Sequence, residues 1–201
     1  VFLFKIGEAF LGRMSIVFYK EMGFSKGDIA LYSKGIGWIT TVVFTLLGGL
    51  FAIRSGVVKA MFISGILMAA TNLLFAALAW SGKSEWLFAV AVLLDDIAAA
   101  FATVAFVAFI SLLVDRTYTA TQYALLASIG TLGRTTLAGS SGWMVDTLEK
   151  GGNLILFSRF SLSIPSVENP WAVFFVITTV MVIPSLILLW FIRNKLKLKL
   201  R

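Results

Sequence analysis

Residues 89–109 read AVAVLLDDIAAAFATVAFVAF, and this stretch contains the problem that decides the fold. It is almost entirely apolar, yet two adjacent carboxylates, Asp95 and Asp96, stand near its middle. In a soluble core an unpaired carboxylate protonates, finds a partner or prevents folding. The explanation therefore depends on whether water or lipid surrounds the segment.

The composition indicates that lipid surrounds this segment. The chain has 201 residues, of which 59% are hydrophobic and 13% are charged, and its mean hydropathy is +0.95. In soluble domains about a quarter of the residues are charged. Apolar runs of about 18 or more residues recur along the chain, and each is long enough to cross a bilayer. The sequence predicts a polytopic membrane protein.

Residue types that are missing from the sequence narrow its chemistry. There is no cysteine and no histidine, which excludes disulfides, thiol chemistry, the commonest metal ligand and the usual general base near neutral pH. We expect no metal and no cofactor. The formal charge of +7 does not predict a nucleic-acid partner, because five of the 17 basic residues lie in the tail RNKLKLKLR, residues 193–201. Such a tail is typical of a helix end at an anionic cytoplasmic leaflet.

Six membrane spans are predicted, which places both chain ends on the same side. They cover about Val1–Met22, Ile29–Ile53, Val57–Trp80, Trp86–Val114, Tyr123–Val145 and Trp171–Ile192. With the tail inside, the inner loops hold Arg54, Lys59, Arg116 and the five tail residues, whereas the outer side holds Lys20, Lys26, Lys83, Lys150 and Arg159. The excess of basic residues predicts a cytoplasmic C-terminus.

Two segments depart from this simple pattern. The chain opens with VFLFKIGEAF, without an initiator Met or a signal peptide, which we interpret as a polypeptide entered partway. Residues 146–170 form the one long connection and include the half-apolar NLILFSRFSLSIP. We expect this part to lie along the outer membrane interface as an amphipathic stretch.

Charged residues within the predicted spans must face the bundle interior, a partner or water. Helical spacing places them with small or polar residues on one face of four spans. These faces are Lys5, Glu8, Gly12, Ser15 and Tyr19; Lys34, Trp38, Thr41, Thr45 and Gly48; Asp95, Ala99, Ala102 and Ala105; and Ala127, Thr131, Arg134, Ala138 and Ser141. The pattern predicts helices around a hydrated cavity.

Other readings of these faces remain open. Lys5 and Glu8 could form a static ion pair, Lys34 could snorkel to the headgroups, and small-residue stripes often mean tight helix packing. Asp95 and Asp96 point about 100° apart on a helix, so at most one is expected to face the cavity centre. A contact between one Asp and Arg134 would balance their charges.

Several motifs resemble a known family. GGLFAIRSGVVKA (48–60) is similar to the major facilitator loop motif, of which Gly49, Arg54, Gly56 and Lys59 survive, whereas Ile53 replaces an Asp. Four blocks resemble the AmpG-type muropeptide permeases of that superfamily, in the order of their last six helices. They are KIGEAF (5–10), GFSKGDIALYSKGIG (23–37), YTATQYALLASIGTLGRT (118–135) and SGWMVD (141–146).

The resemblance implies the all-α C-terminal half of a twelve-helix transporter. Its N-terminal six-helix half would be the partner. The whole would carry anhydro-muropeptides into the cytoplasm with protons, for peptidoglycan recycling, across the bacterial inner membrane. We expect proton coupling to fall to Glu8 and Asp95, which match acidic residues of the family, and to Asp96, which has no counterpart there. Solute binding would fall to Lys5, Lys34, Trp38, Gln122 and Arg134, of which Trp38 offers a surface for stacking on a sugar.

Three departures leave the solute open: Arg13 stands where a small residue is expected, Asp96 doubles the acid, and 146–170 is long. The alternatives are a major facilitator permease for another solute, such as an acetyl-CoA-like compound or a sugar, and a split or decayed half without activity alone. A membrane enzyme could use paired Asp to hold a divalent metal, but a lipid phosphotransferase needs more acidic residues at fixed spacing. The sequence therefore favours a transporter over an enzyme.

Overall fold

The computed structural model describes residues 3–114, 119–157, 160–164 and 168–199. After a 3₁₀ turn at Leu3–Lys5, the helices are α1 (Ile6–Glu21), α2 (Lys26–Ile29), α3 (Gly37–Ser55), α4 (Val57–Ser81), α5 (Glu85–Leu113), α6 (Thr119–Gly139), α7 (Ser141–Lys150) and α8 (Pro170–Lys199). A π-helical segment, Ala30–Ile36, joins α2 to α3, so that Lys26–Ser55 forms one rod of 30 residues. The strands β1 (Gly152–Phe157) and β2 (Phe160–Ile164) pair as an antiparallel hairpin.

Four of the six predicted spans are confirmed as helices long and apolar enough to cross a membrane. These helices are Lys26–Ser55, Val57–Ser81, Glu85–Leu113 and Pro170–Ile192. Within the described ranges, the first and fifth predicted spans do not reach this standard. Helix α1 has only 16 residues and is interrupted by charges, and α6 is rich in Thr, Ser and Gly.

The connections between the long helices are short and depend on glycine. Gly56 alone separates α3 from α4, at φ +89°, a left-handed conformation that favours glycine. This requirement gives a physical reason for one residue of the loop motif. Exposed Trp80 and Trp86 flank the turn between α4 and α5, where amphipathic rings suit the level of the lipid headgroups.

The packing partners of the helices show a pattern that the sequence did not reveal. Helix α1 packs on α6 and α8, α5 packs on α3 and α4, and α4 packs on α8. If the first three spans are exchanged with the last three, the pairs α1–α6 and α1–α8 map onto α5–α3 and α5–α4, and the pair α4–α8 maps onto itself. Such a relation is expected of two three-helix repeats, the arrangement found within each half of major facilitator transporters.

Two core clusters hold the bundle together. One is aromatic and joins α1, α4, α5 and α8, with Phe18 in contact with Phe175 at 4.9 Å between ring centroids. The other contains Ala98, Ala102 and Ala105 of α5, buried with Met61 of α4. Ala102 and Ala105, in the C-terminal part of the small-residue stripe on α5, therefore serve close helix packing, which was the alternative interpretation of the stripe.

The helices agree with the expected all-α class, to which the described residues add one short hairpin, and the placement of residues 146–170 along the membrane interface stays a prediction. The fifth span, predicted over 123–145, is divided because α6 ends at Gly139 and α7 starts at Ser141. Helix α7 continues to Lys150, and the β1–β2 hairpin follows it. Alternating apolar and polar residues such as FSLSI satisfy a strand as well as an amphipathic interface stretch. Arg116 and Arg159 lie outside the described residues, as do the side chains of the tail from 193.

Candidate functional site

The charges of α1 meet those of α5 and α6 at one place in the bundle. Lys5 is buried, and its ammonium group donates to the carboxylate of Glu8 and, at 3.3 Å, to the hydroxyl of Thr103 on α5. The second oxygen of Glu8 lies 3.8 Å from the guanidinium group of Arg134. Glu8 therefore bridges two cations, an arrangement that compensates the cost of burying its charge.

Asp95 lies beside this cluster but has a different kind of partner. Its Oδ1 accepts a hydrogen bond of 3.2 Å from the hydroxyl of Thr71 on α4, which also lies 3.0 Å from the carbonyl oxygen of Met68. Glu8 and Asp96 are near enough to interact with Asp95 electrostatically. The expected contact between an Asp and Arg134 is not formed, because the ion pair of Arg134 in the described part of the chain is with Glu8.

A partly open cavity of about 190 Å³ brings these groups together. It is lined by Glu8, Leu11, Gly12, Met68, Asn72, Asp95, Ala99 and Arg134. A larger groove of about 540 Å³ lies between α1 and α6 and shares Gly12 and Arg134 with the cavity. Half of the Arg134 side chain is exposed, so Arg134 stands between the groove and the cavity. Three of the charged residues singled out in the sequence thus face one polar chamber.

Asp96 points elsewhere, towards the rod formed by α2 and α3. Gly37, in the first turn of α3, lies so close that a methyl group there would collide with Oδ2 of Asp96. This oxygen is buried and has no hydrogen-bond partner among the described residues. The exposed Lys34, in the π-helical segment, is near enough to attract Asp96 electrostatically. The geometry agrees with the expectation that at most one of the two Asp side chains faces the cavity.

The remaining predicted solute and loop residues do not line the cavity. Trp38 is 71% exposed on α3, Gln122 is half-buried near the start of α6, and Lys34 lies on the π-helical segment. Of the loop motif, Arg54 ends α3, Gly56 forms the turn and Lys59 lies in the first turn of α4. Gly49 sits in α3 near Val104 of α5.

Sequence reasoning missed the uncharged polar members of the site. Thr71 and Asn72 lie in the middle of α4 and are 3% and 2% exposed, and Thr103 completes the contacts of Lys5. The signal was present, because TN interrupts an otherwise apolar run in MAATNLLFAA, residues 68–77. An uncharged amide in a membrane span also needs a partner, so Asn72 could have been singled out together with the charges.

Comparison with known proteins gives the site a context. No protein-family model matches the chain. Over 97% of its length it is 31% identical to a Rickettsia conorii protein named as an AmpG transporter (AmpG 4), covering 42% of that protein. It is 27% identical over 98% of its length to the anhydromuropeptide permease of Escherichia coli K12, covering 36% of that protein. The chain is a homologue of the AmpG-type transporters.

The relationship covers nearly the whole chain but less than half the length of these AmpG-type relatives. A Haemophilus influenzae protein without an assigned role is 32% identical over 72% of the chain. The relatives named by role are transporters or permeases and not enzymes. The four helices that are long and apolar enough to cross a membrane agree with a multi-pass membrane protein.

Proposed function

We propose that this chain is the C-terminal six-helix half of a proton-coupled AmpG-type transporter that takes up anhydromuropeptides. The N-terminal half would close the other side of the solute pathway. The protein would lie in the bacterial inner membrane with a cytoplasmic C-terminus. The basic tail and the loop with Arg54 and Lys59 support this orientation, since Lys and Arg accumulate on the cytoplasmic side.

One observation carries the proposal: two carboxylates and a guanidinium group line a single chamber within a bundle of apolar helices. Ionisable groups at membrane depth often mark solute and proton pathways, because burying them is costly and they are therefore rare where they have no function. Glu8 and Asp95 would accept the proton, and Arg134 would hold an acidic group of the solute where the groove meets the cavity. The site is lined by residues of four helices, α1, α4, α5 and α6, and alternating access would change how these helices and the N-terminal half are arranged around it.

The contacts suggest how proton binding and solute binding are coupled. When ionised, Glu8 bridges Lys5 and Arg134. A proton on Glu8 would weaken both contacts and release Arg134 towards the groove, where it would bind a solute carboxylate. Proton uptake would then favour solute binding, and return of Arg134 to an ionised Glu8 would favour solute release.

The test is uptake of labelled anhydromuropeptide into proteoliposomes that contain the complete transporter, driven by an imposed pH gradient. Glu8→Gln should abolish the dependence on the gradient while the protein remains folded. Glu21→Gln is the matched control on the same helix, because Glu21 accepts a hydrogen bond of 2.6 Å from Trp171, which a Gln oxygen can also accept. Gradient-driven uptake that survives in Glu8→Gln, or an unaltered protein that carries only other solutes, would contradict the proposal.

A further inference from the structure

One buried polar group takes no part in the proposed proton coupling or in the ion pairs of the site. Asn72 lies in the middle of α4, is 2% exposed and lines the cavity beside Glu8 and Asp95. Its Nδ2 has no hydrogen-bond partner among the described residues. A buried donor without a partner is unfavourable, and in a membrane lipid does not relieve this cost. A ligand in the cavity would supply the missing acceptor.

Neighbouring residues cannot satisfy this donor as they are placed. Thr71 already contacts Asp95 and the carbonyl of Met68, while Glu8 is engaged by Lys5 and Arg134. The rest of the lining consists of apolar or small residues: Leu11, Gly12, Met68 and Ala99. The amide nitrogen of Asn72 therefore has no acceptor among the described residues, although the residue itself lines the cavity.

The charges around the cavity indicate what kind of ligand group fits there. With Glu8 protonated and Arg134 holding the solute carboxylate, as proposed for the solute-binding state, the remaining charges of Asp95 and Lys5 sum to zero. A balanced site favours an uncharged group, since an added charge would be left uncompensated at membrane depth. Asn72 supplies a donor and Asp95 supplies acceptor positions. A secondary amide matches both, because its carbonyl accepts and its N–H donates.

We propose that Asn72 donates a hydrogen bond to an uncharged amide carbonyl of the transported solute, and thereby helps to determine which solutes bind. The inference rests on the proposed transport function and names the group of the solute that enters this cavity. Asn72 would be a binding residue and not a proton carrier. Solutes without an amide at this point would leave Nδ2 unpaired, and sites built for a hydrogen bond reject such analogues.

The test is equilibrium binding of labelled anhydromuropeptide to the complete transporter in detergent, with the melting temperature measured on the same samples. Asn72→Leu keeps the size but removes the donor, and should weaken binding about 2- to 10-fold, the usual range for one neutral hydrogen bond. Its melting temperature should stay the same or rise, because an unpaired donor is removed. Asn72→Ala tests the same loss if the Leu side chain does not fit.

The matched control is Ser64→Ala on the same helix. Ser64 is fully buried, but its hydroxyl donates to the carbonyl of Met61, away from the cavity. We expect this variant to bind as the unaltered protein does. Unchanged binding in Asn72→Leu and Asn72→Ala, or no binding to the unaltered protein, would overturn the inference. Gradient-driven uptake, measured separately, decides the proposed function, since Asn72 variants can lose binding whether or not protons drive transport.

Discussion

Asp95 and Asp96 are neighbours in the sequence but lie in different surroundings, because successive side chains of an α-helix point about 100° apart. Asp95 faces the polar cavity and accepts a hydrogen bond from Thr71. Asp96 faces α3, where Gly37 leaves just enough room for its carboxylate, and one of its oxygens is buried without a partner among the described residues. The same side chain thus has two environments, which the neighbouring helices decide.

From this difference we expect the two carboxylates to have different roles. A group that exchanges protons during transport needs access to the cavity, which Asp95 has and Asp96 lacks. Asp96 instead lies against Gly37, in the rod that contains the π-helical segment Ala30–Ile36. We therefore expect substitutions at Asp95 to change transport, and substitutions around Asp96 to change mainly the packing of α3 on α5.

The largest difference should appear in gradient-driven uptake by the complete transporter. Asp95→Asn should lower it by at least about 100-fold, the lower end of what a positioned proton-transfer group contributes. Asp96→Asn should retain most of the uptake, because Asp96 does not line the cavity. Both substitutions keep the side-chain shape, so each serves as the control for the other. Equal losses in the two variants would remove the distinction between the two positions.

A second difference concerns stability and involves the donor to Asp95. Thr71→Val leaves Asp95 without its hydrogen bond, and should lower the free energy of unfolding by about 1–3 kcal/mol. Thr178→Val on α8 is the control, because Thr178 is also fully buried but donates only to the carbonyl of Phe175 among the contacts found. Chemical unfolding in detergent measures both. A loss at Thr178 as large as the loss at Thr71 would show that Asp95 gains nothing from Thr71.

The sequence predicted the parts of the molecule that depend on a single helix. Four spans were recognised because long apolar runs have few other uses, and Glu8, Asp95 and Arg134 were grouped because charges at membrane depth must face inward. The sequence did not predict which residues of different helices contact one another. Arg134 pairs with Glu8 and not with an Asp, since that choice depends on how α6 packs against α1. The β hairpin was missed because its alternating residues also fit an amphipathic interface stretch.

The space beside Asp96 provides the next test. Gly37→Ala would push a methyl group against Oδ2 of Asp96, and overpacking of this kind costs about 1–3 kcal/mol. Gly35→Ala is the control in the same rod, where the added carbon would lie 3.8 Å from the Ala30 carbonyl oxygen. That variant should be neutral or gain up to about 1 kcal/mol, the difference in helix propensity between Ala and Gly. Unfolding free energies that rank the two variants in the opposite order would refute the close fit at Gly37.

The smallest effect should come from Lys34, the one cation whose attraction to Asp96 is evident in the described structure. Lys34 is exposed, and exposed ion pairs contribute at most about 1 kcal/mol. Lys34→Met should therefore lower stability only slightly, and the loss should shrink as salt is added. In an Asp96→Asn background the loss should vanish, because the partner charge is absent. A loss that persists in that background would mean that Lys34 acts through packing of the π-helical segment. The surroundings of Asp96 would then differ from those of Asp95 in packing as well as in charge.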